Sequence, residues 1–210
     1  MRQITFNEAA DDAAIADWLE TELRSALRAN AGRVAIAVPG GSTPFPIFEV
    51  LVGRELDFAR IDVWPGDDRV VPEDHAASNT GKIRALFERV GARVIALEPD
   101  AAPPRFALVW LGMGADGHIA SLFPNTDPQP DDPQAVRRLT PDPLPPEAPF
   151  DRITLTMPAL LDCERMIFVI RGKDKRAVFE AAVADQHDLP IARLLRAAEN
   201  RAGLAITCFT

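Results

Sequence analysis

Apolar residues recur at helical spacing from Ala9 to Leu27: Ile15, Trp18, Leu19, Leu23, Ala26 and Leu27 share one side, with acids and arginines on the other. That periodicity predicts an amphipathic helix with one face on a core. Asn30-Ala31-Gly32 offers a C-terminal stop, since Asn and Gly accept the backbone turn that closes a helix. The period then changes. Val34 to Val38 is an unbroken apolar run, too short for a helix and typical of a strand buried on both faces. Pro39-Gly40-Gly41-Ser42-Thr43 follows, and Pro44 suits the first position of a second helix, where the missing N–H costs nothing.

The alternation continues along the chain. Ile61 to Trp64 reads as a strand, Ser78 to Val90 as a helix, and Phe106 to Leu111 as a buried strand. Further on come a strand at Ile153 to Thr156, a short helix near Pro158 to Asp162, a strand at Met166 to Ile170 and a helix from Asp174 through Ala184. Leu204 to Phe209 reads as a closing edge strand. Strands alternating with helices predict an α/β fold with a doubly wound, mostly parallel sheet flanked by helices. The 210 residues suit one such domain spanning residues 1–210. From Pro124 to Pro149 prolines punctuate an acidic, weakly periodic stretch, which predicts a surface excursion holding neither a long helix nor a central strand.

Composition narrows the function. A formal net charge of −8 without a basic stripe argues against a nucleic-acid partner. It does not exclude a small phosphorylated metabolite, because close cations and backbone N–H groups outweigh a screened distant field. Arg, Asp or Pro interrupts every candidate membrane span, and the N-terminus lacks the apolar core and cleavage site of a secretory signal, so a cytoplasmic protein without a membrane partner is expected. Cys163 and Cys208 are too few for a four-thiolate zinc site and read as small core residues.

Four clusters carry candidate chemistry, each at the end of a predicted strand, where open parallel sheets bind ligands. The most informative is Gly112 to Pro124, in which three glycines permit a sharp turn while Asp116 and His118 supply an acid and a group that titrates near neutrality. Gly40-Gly41-Ser42-Thr43 can present N–H groups and hydroxyls to an anion at a helix start, or be an ordinary glycine turn. In Trp64 to Pro72, followed by Ser78-Asn79, Arg69 either grips a phosphate or pairs with Asp67 or Asp68 as a solvated turn. Arg171-Gly172-Lys173-Asp174-Lys175 offers one more cation. His75 and His187 lie in polar contexts and are expected to face solvent. The three histidines lack the spacing of a metal site, so no catalytic metal is expected.

The fixed order of these clusters resembles the 6-phosphogluconolactonase family: a GGSTP loop, a GDDRxVP turn followed by SN, the segment GMGADGHIASLFP, RITLTMPAL, and GxxK at Gly172 to Lys175. The resemblance runs from Val38 to about Ala184, and GMGADGH is its most specific part. It implies a Rossmann-like fold and hydrolysis of 6-phosphogluconolactone, a phosphorylated sugar lactone, without a cofactor, in a monomer or small homo-oligomer. By position it makes His118 the base that activates water, with Asp116 orienting it or holding the loop. Arg69 and Lys175 become phosphate cations, Gly41, Ser42 and Thr43 the substrate loop, and Gly40, Asp67, Asn79 and Gly114 further substrate-binding positions. The chain departs from the family in a short segment from Val90 to Phe106 with no room for a helix, in Asp68 where Glu is usual, and in a C-terminus without tryptophan. Two other readings are weaker. A glucosamine-6-phosphate deaminase would use an Asp-Glu-Tyr turn, and this chain has no tyrosine. A non-catalytic sugar-phosphate sensor would have no need of His118.

Overall fold

The computed structural model describes residues 4–144 and 148–210, so residues 145–147 of the proline-rich excursion lie outside the described residues. The chain opens with β1 (Ile4–Asn7) and α1 (Asp12–Ala29), whose N-cap Asp11 accepts from the Ala14 N–H at 2.8 Å. Next come β2 (Val34–Val38) and α2 (Pro44–Val52), which begins on the expected proline. They are followed by β3 (Ile61–Pro65), β4 (Asp67–Arg69), α3 (Asn79–Phe87) with a 3-10 turn to Val90, and β5 (Arg93–Val94). After β6 (Phe106–Leu111) lie β7 (Val136–Leu139), β8 (Arg152–Leu155) and α4 (Met157–Leu161). The chain closes with β9 (Cys163–Val169), α5 (Lys173–Val183), α6 (Pro190–Ala198) and β10 (Ala205–Phe209).

Seven strands form one parallel sheet in the order β1-β10-β9-β6-β2-β3-β5. The unbroken apolar runs follow from burial on both faces. Val34, Ile36 and Val38 join a core under α1, α2 and α3, while Ala35 and Ala37 face a second core under α4, α5 and α6. Both cysteines belong to the second core, and burial pushes both thiols up to about 12. No helix of the described residues is long and apolar enough to cross a membrane.

Three expectations are corrected. The stretch expected as an edge strand is the interior strand β10, paired with β9 on one side and with β1, which takes the edge, on the other. The strand expected at Ile153 to Thr156 does not join the parallel sheet; as β8 it centres a small antiparallel sheet, β4-β8-β7. Its core-facing Leu155 fits either sheet, and a period of two carries no record of strand direction. The segment read as a turn through Asp67 to Arg69 supplies another strand of that sheet, and the proline-rich excursion supplies the third, whose Val136 is buried. Beyond the 3-10 turn that ends at Val90, the short segment before β6 holds β5 and no helix, as its length implies.

The strand order places the site. From β2 the chain moves to β3 on one side, then returns to lay β6 on the other side of β2. The loops leaving the carboxyl ends of β2 and β6 therefore diverge from one crevice, the switch point where open α/β sheets bind ligands.

Candidate active site

Gly40, Gly41, Ser42, Thr43, Asp67, Arg69, Asn79, Gly114, His118 and Lys175 line one cleft of about 300 Å³ at that crevice. Of the residues expected to act in catalysis or substrate binding only Asp116 is absent from its wall, and it is hydrogen-bonded to His118. Pro39, Trp110, Met113 and Val169 add apolar surface to the lining, which the sequence signalled only as strand ends.

The loop after β6 builds the dyad by folding on itself. The Gly114 N–H donates to the His118 carbonyl at 2.9 Å, and the Gly117 N–H to the Gly114 carbonyl at 3.1 Å. Ile119 and Leu122 are buried and pin the loop's far side, and the Ile191 N–H of α6 donates to the Gly117 carbonyl at 3.1 Å. Gly117 has φ +78° and lies against Leu189, where a Cβ would come within 2.8 Å. Asp116 Oδ1 sits 2.6 Å from His118 Nδ1 and also accepts the His118 backbone N–H at 3.2 Å. This hydrogen bond holds the Asp116 carboxyl below the usual carboxylate range. A carboxylate on Nδ1 selects the tautomer with its proton there, leaving the Nε2 lone pair free as a base. Phe123 stacks on the imidazole, ring centroids 4.8 Å apart and tilted by 42°.

The second wall comes from β4 and α3. Buried Asp68 accepts the backbone N–H groups of Arg69 at 2.7 Å, Asn79 at 2.5 Å and Thr80 at 2.9 Å, and the Ser78 hydroxyl at 3.0 Å. It thus locks the start of α3 onto β4, and its position in that strand turns it away from the cleft. Asn79 is buried, with its side chain committed to protein: Nδ2 donates to the Asp67 carbonyl at 3.0 Å and Oδ1 accepts from Arg69 Nη1 at 3.1 Å. Arg69 Nη1 also donates to the Ala77 carbonyl at 2.9 Å, and among the described residues no carboxylate forms an ion pair with its guanidinium. The pairing of Arg69 with Asp67 or Asp68 is therefore not formed. Burial pushes the Asp67 carboxyl up, while the Ser121 hydroxyl donating to it at 2.5 Å and the nearby Arg69 work against that rise.

Ser121 is fully buried, and its hydroxyl donates to Asp67. Its backbone N–H donates to the Thr154 hydroxyl of β8 at 3.2 Å, so the small sheet braces the His118 loop. Ser42 is exposed on the rim. Two of the first three residues of α2, Pro44 and Pro46, lack N–H groups, and Thr43 makes no side-chain cap bond. Donors at this helix start are thus confined to Gly41 to Thr43, Phe45 and the two hydroxyls. Lys175 reaches the opposite side from the first turn of α5, after Gly172 at φ +93°.

His75 is exposed as expected, with its ring edge-on to Phe150. His187 is not free in solvent; it is half-buried and its Nε2 lies 3.1 Å from the Val178 carbonyl. Among the described residues no group of three or more His, Cys, Asp or Glu side chains is placed to hold a metal.

The sequence profile of the family described as Glucosamine-6-phosphate isomerases/6-phosphogluconolactonase matches residues 7–100 and 88–202 of this chain. A Pseudomonas aeruginosa protein named 6-phosphogluconolactonase is 38% identical over 199 residues, 83% of this chain and 82% of its own length. A protein of the same name from Neisseria meningitidis serogroup B is 32% identical over 213 residues, covering 89% of this chain and 90% of its own. The crystal structure of 6-phosphogluconolactonase from Thermotoga maritima shares the fold, with a TM-score of 0.83 at 22% identity over 99% of each chain.

Proposed function

The chain belongs to the glucosamine-6-phosphate isomerase and 6-phosphogluconolactonase family, and from that premise we propose that it hydrolyses 6-phosphogluconolactone to 6-phosphogluconate, the lactonase step of the oxidative pentose phosphate pathway. The observation that carries this reading is His118, held by Asp116 at 2.6 Å, on the wall of a cleft that also presents Arg69 and Lys175.

A lactone is an activated ester, and the pair suits its hydrolysis. Asp116 holds the Nδ1 proton; His118 Nε2 takes a proton from water as the water oxygen bonds to the lactone carbonyl carbon. The resulting oxyanion needs backbone donors other than the Gly114 N–H, which is spent on closing the loop. The ring C–O bond then breaks, and the imidazolium returns its proton to the departing alkoxide, which becomes a hydroxyl of the open-chain acid. Arg69 and Lys175 bind the phosphate at the other end of the substrate, helped by Gly41, Ser42 and Thr43, while Gly40 and Asn79 shape that end of the cleft. Asp67, tied to Ser121, accepts a sugar hydroxyl. Water is the nucleophile, since Ser121 is fully buried and does not line the cleft.

The test separates the two chemistries of the family. Purified protein is given 6-phosphogluconolactone in one assay and glucosamine 6-phosphate in another. Acid release far above spontaneous lactone opening, without ammonia from the amino sugar, is expected; ammonia release would establish the isomerase reading instead.

A further inference from the structure

Arg152 is a charged group that the mechanism above does not use. It opens β8 and is 3% exposed, and among the described residues its guanidinium donates to two carbonyls: Nη1 to Phe150 at 2.7 Å and Nη2 to Ala148 at 2.8 Å. Among the described residues no carboxylate forms an ion pair with it. In the β4–β8 register Arg152 is the direct partner of Arg69, and Asp67 is that of Thr154. Residues directly opposite in an antiparallel pair project from the same side of the sheet. Arg152 therefore stands beside Arg69, which lines the cleft, while Arg152 does not reach its wall.

Two guanidinium charges so placed oppose each other, and a buried charge without a counterion costs free energy that an apolar residue would avoid. Burial and the facing Arg69 both make the Arg152 cation harder to hold, while Asp67 and Asp68 help to hold it. The carboxylates compensate only in part. Asp68 is occupied by the start of α3, and the Asp67 charge is itself disfavoured by burial. The positive charge left over faces the cleft through Arg69, where an anionic ligand would balance it.

We propose that Arg152 is a positioning residue for ligand charge: it holds Arg69 toward the cleft, and with it forms an interior dication that favours a phosphate dianion over an uncharged sugar. This rests on the reading of the cleft as a sugar-phosphate site. A unit charge on the neighbouring strand beside the contact, in a medium of intermediate dielectric, is expected to change affinity for a dianion about tenfold.

The experiment measures binding of 6-phosphogluconate and of gluconate by calorimetry, with thermal midpoints of the free proteins. The wild type is compared with Arg152→Gln, which keeps a donor for the carbonyls but not the charge, and with Arg152→Lys, which keeps the charge. Arg152→Gln should weaken 6-phosphogluconate binding about tenfold and leave gluconate binding unchanged, while Arg152→Lys should recover most of the loss. Equal affinity of the Gln and Lys variants for 6-phosphogluconate, or equal losses for both ligands, would overturn the proposal, whatever the thermal midpoints. Failure of the Gln variant to fold while the Lys variant folds and binds like wild type would assign Arg152 to folding alone and overturn it as well. A wild type that binds both ligands equally would instead bring down the sugar-phosphate reading itself.

Discussion

Gly114 faces the imidazole so closely that a Cβ there would lie 2.2 Å from His118 Cε1 and 2.5 Å from Asp116 Oδ1. The glycine is thus required by the dyad it precedes, beyond any freedom of its backbone. Gly114→Ala must swing the ring or the carboxylate by about 1 Å, and a misplacement of that size costs about 100-fold in rate. The expected outcome is a kcat about 100-fold lower with the thermal midpoint little changed, checked by steady-state kinetics beside a melt. Charge at the other end of the cleft acts differently. Arg69→Ala and Lys175→Ala should each raise KM strongly for the phosphorylated lactone and little for gluconolactone; equal effects on both substrates would remove the phosphate assignment. These positions were legible in the sequence because each follows a strand. The bonds that tie Asn79 to Arg69, and Ser121 to Asp67, were not, since they join residues 10 and 54 positions apart.

At the scale of elements, α3 shows how one buried carboxylate can place a wall. Asp68 takes four donors, two of them N–H groups in the first turn of the helix. Asp68→Ala would leave those donors unpaired in the interior, at a cost of about 3 kcal/mol, since hydrogen bonds to charged groups are each worth roughly half that or more. Stability by urea titration should fall by about that amount, and KM should rise because Arg69 and Asn79 lose their register. Helices α1, α2 and α3 and strands β2, β3 and β6 were legible from periodicity and proline placement, because burial on two distinct faces imposes a strong pattern. The three-residue β4 carries too little pattern to distinguish a strand from a turn. Helix α6 has its own signals, Pro190 at the first position and Ile191, Leu194, Leu195 and Ala198 at helical spacing, but its nine residues pass easily for a loop.

Across the whole molecule, the ends of the parallel sheet do different work. At the carboxyl ends the loops open a polar cleft; near the opposite end Asp62 clamps strands together, bonded to Arg33 at 2.6 Å and to Arg93 at 2.5 and 2.9 Å. Burial alone would raise the Asp62 carboxyl, but the hydrogen bonds from Arg93 and Arg33 outweigh it and leave it below its ordinary value. A carboxylate depressed by folding contributes stability that is present above its unfolded value of about 4 and is lost as pH falls through the folded one. Asp62→Asn should therefore lower stability by about 1 kcal/mol at neutral pH, the modest figure reflecting partly exposed arginine partners. The deficit should shrink below pH 4 and vanish once the wild-type carboxylate is protonated, as followed by melts across pH. The alternating elements made the α/β class legible, whereas strand order and the separate small sheet depend on long-range pairing that no local pattern records.

The central claim is that His118, oriented by Asp116, activates water against a lactone. The most direct measurement is the initial rate of 6-phosphogluconolactone opening by wild type, His118→Ala and Asp116→Asn, each against the spontaneous rate in the same buffer. Positioned general-base catalysis contributes about 10²- to 10⁴-fold. His118→Ala should therefore lose a factor in that range while still binding 6-phosphogluconate, and Asp116→Asn should lose less, mainly in kcat. A His118→Ala protein that opens the lactone at the wild-type rate would contradict the account.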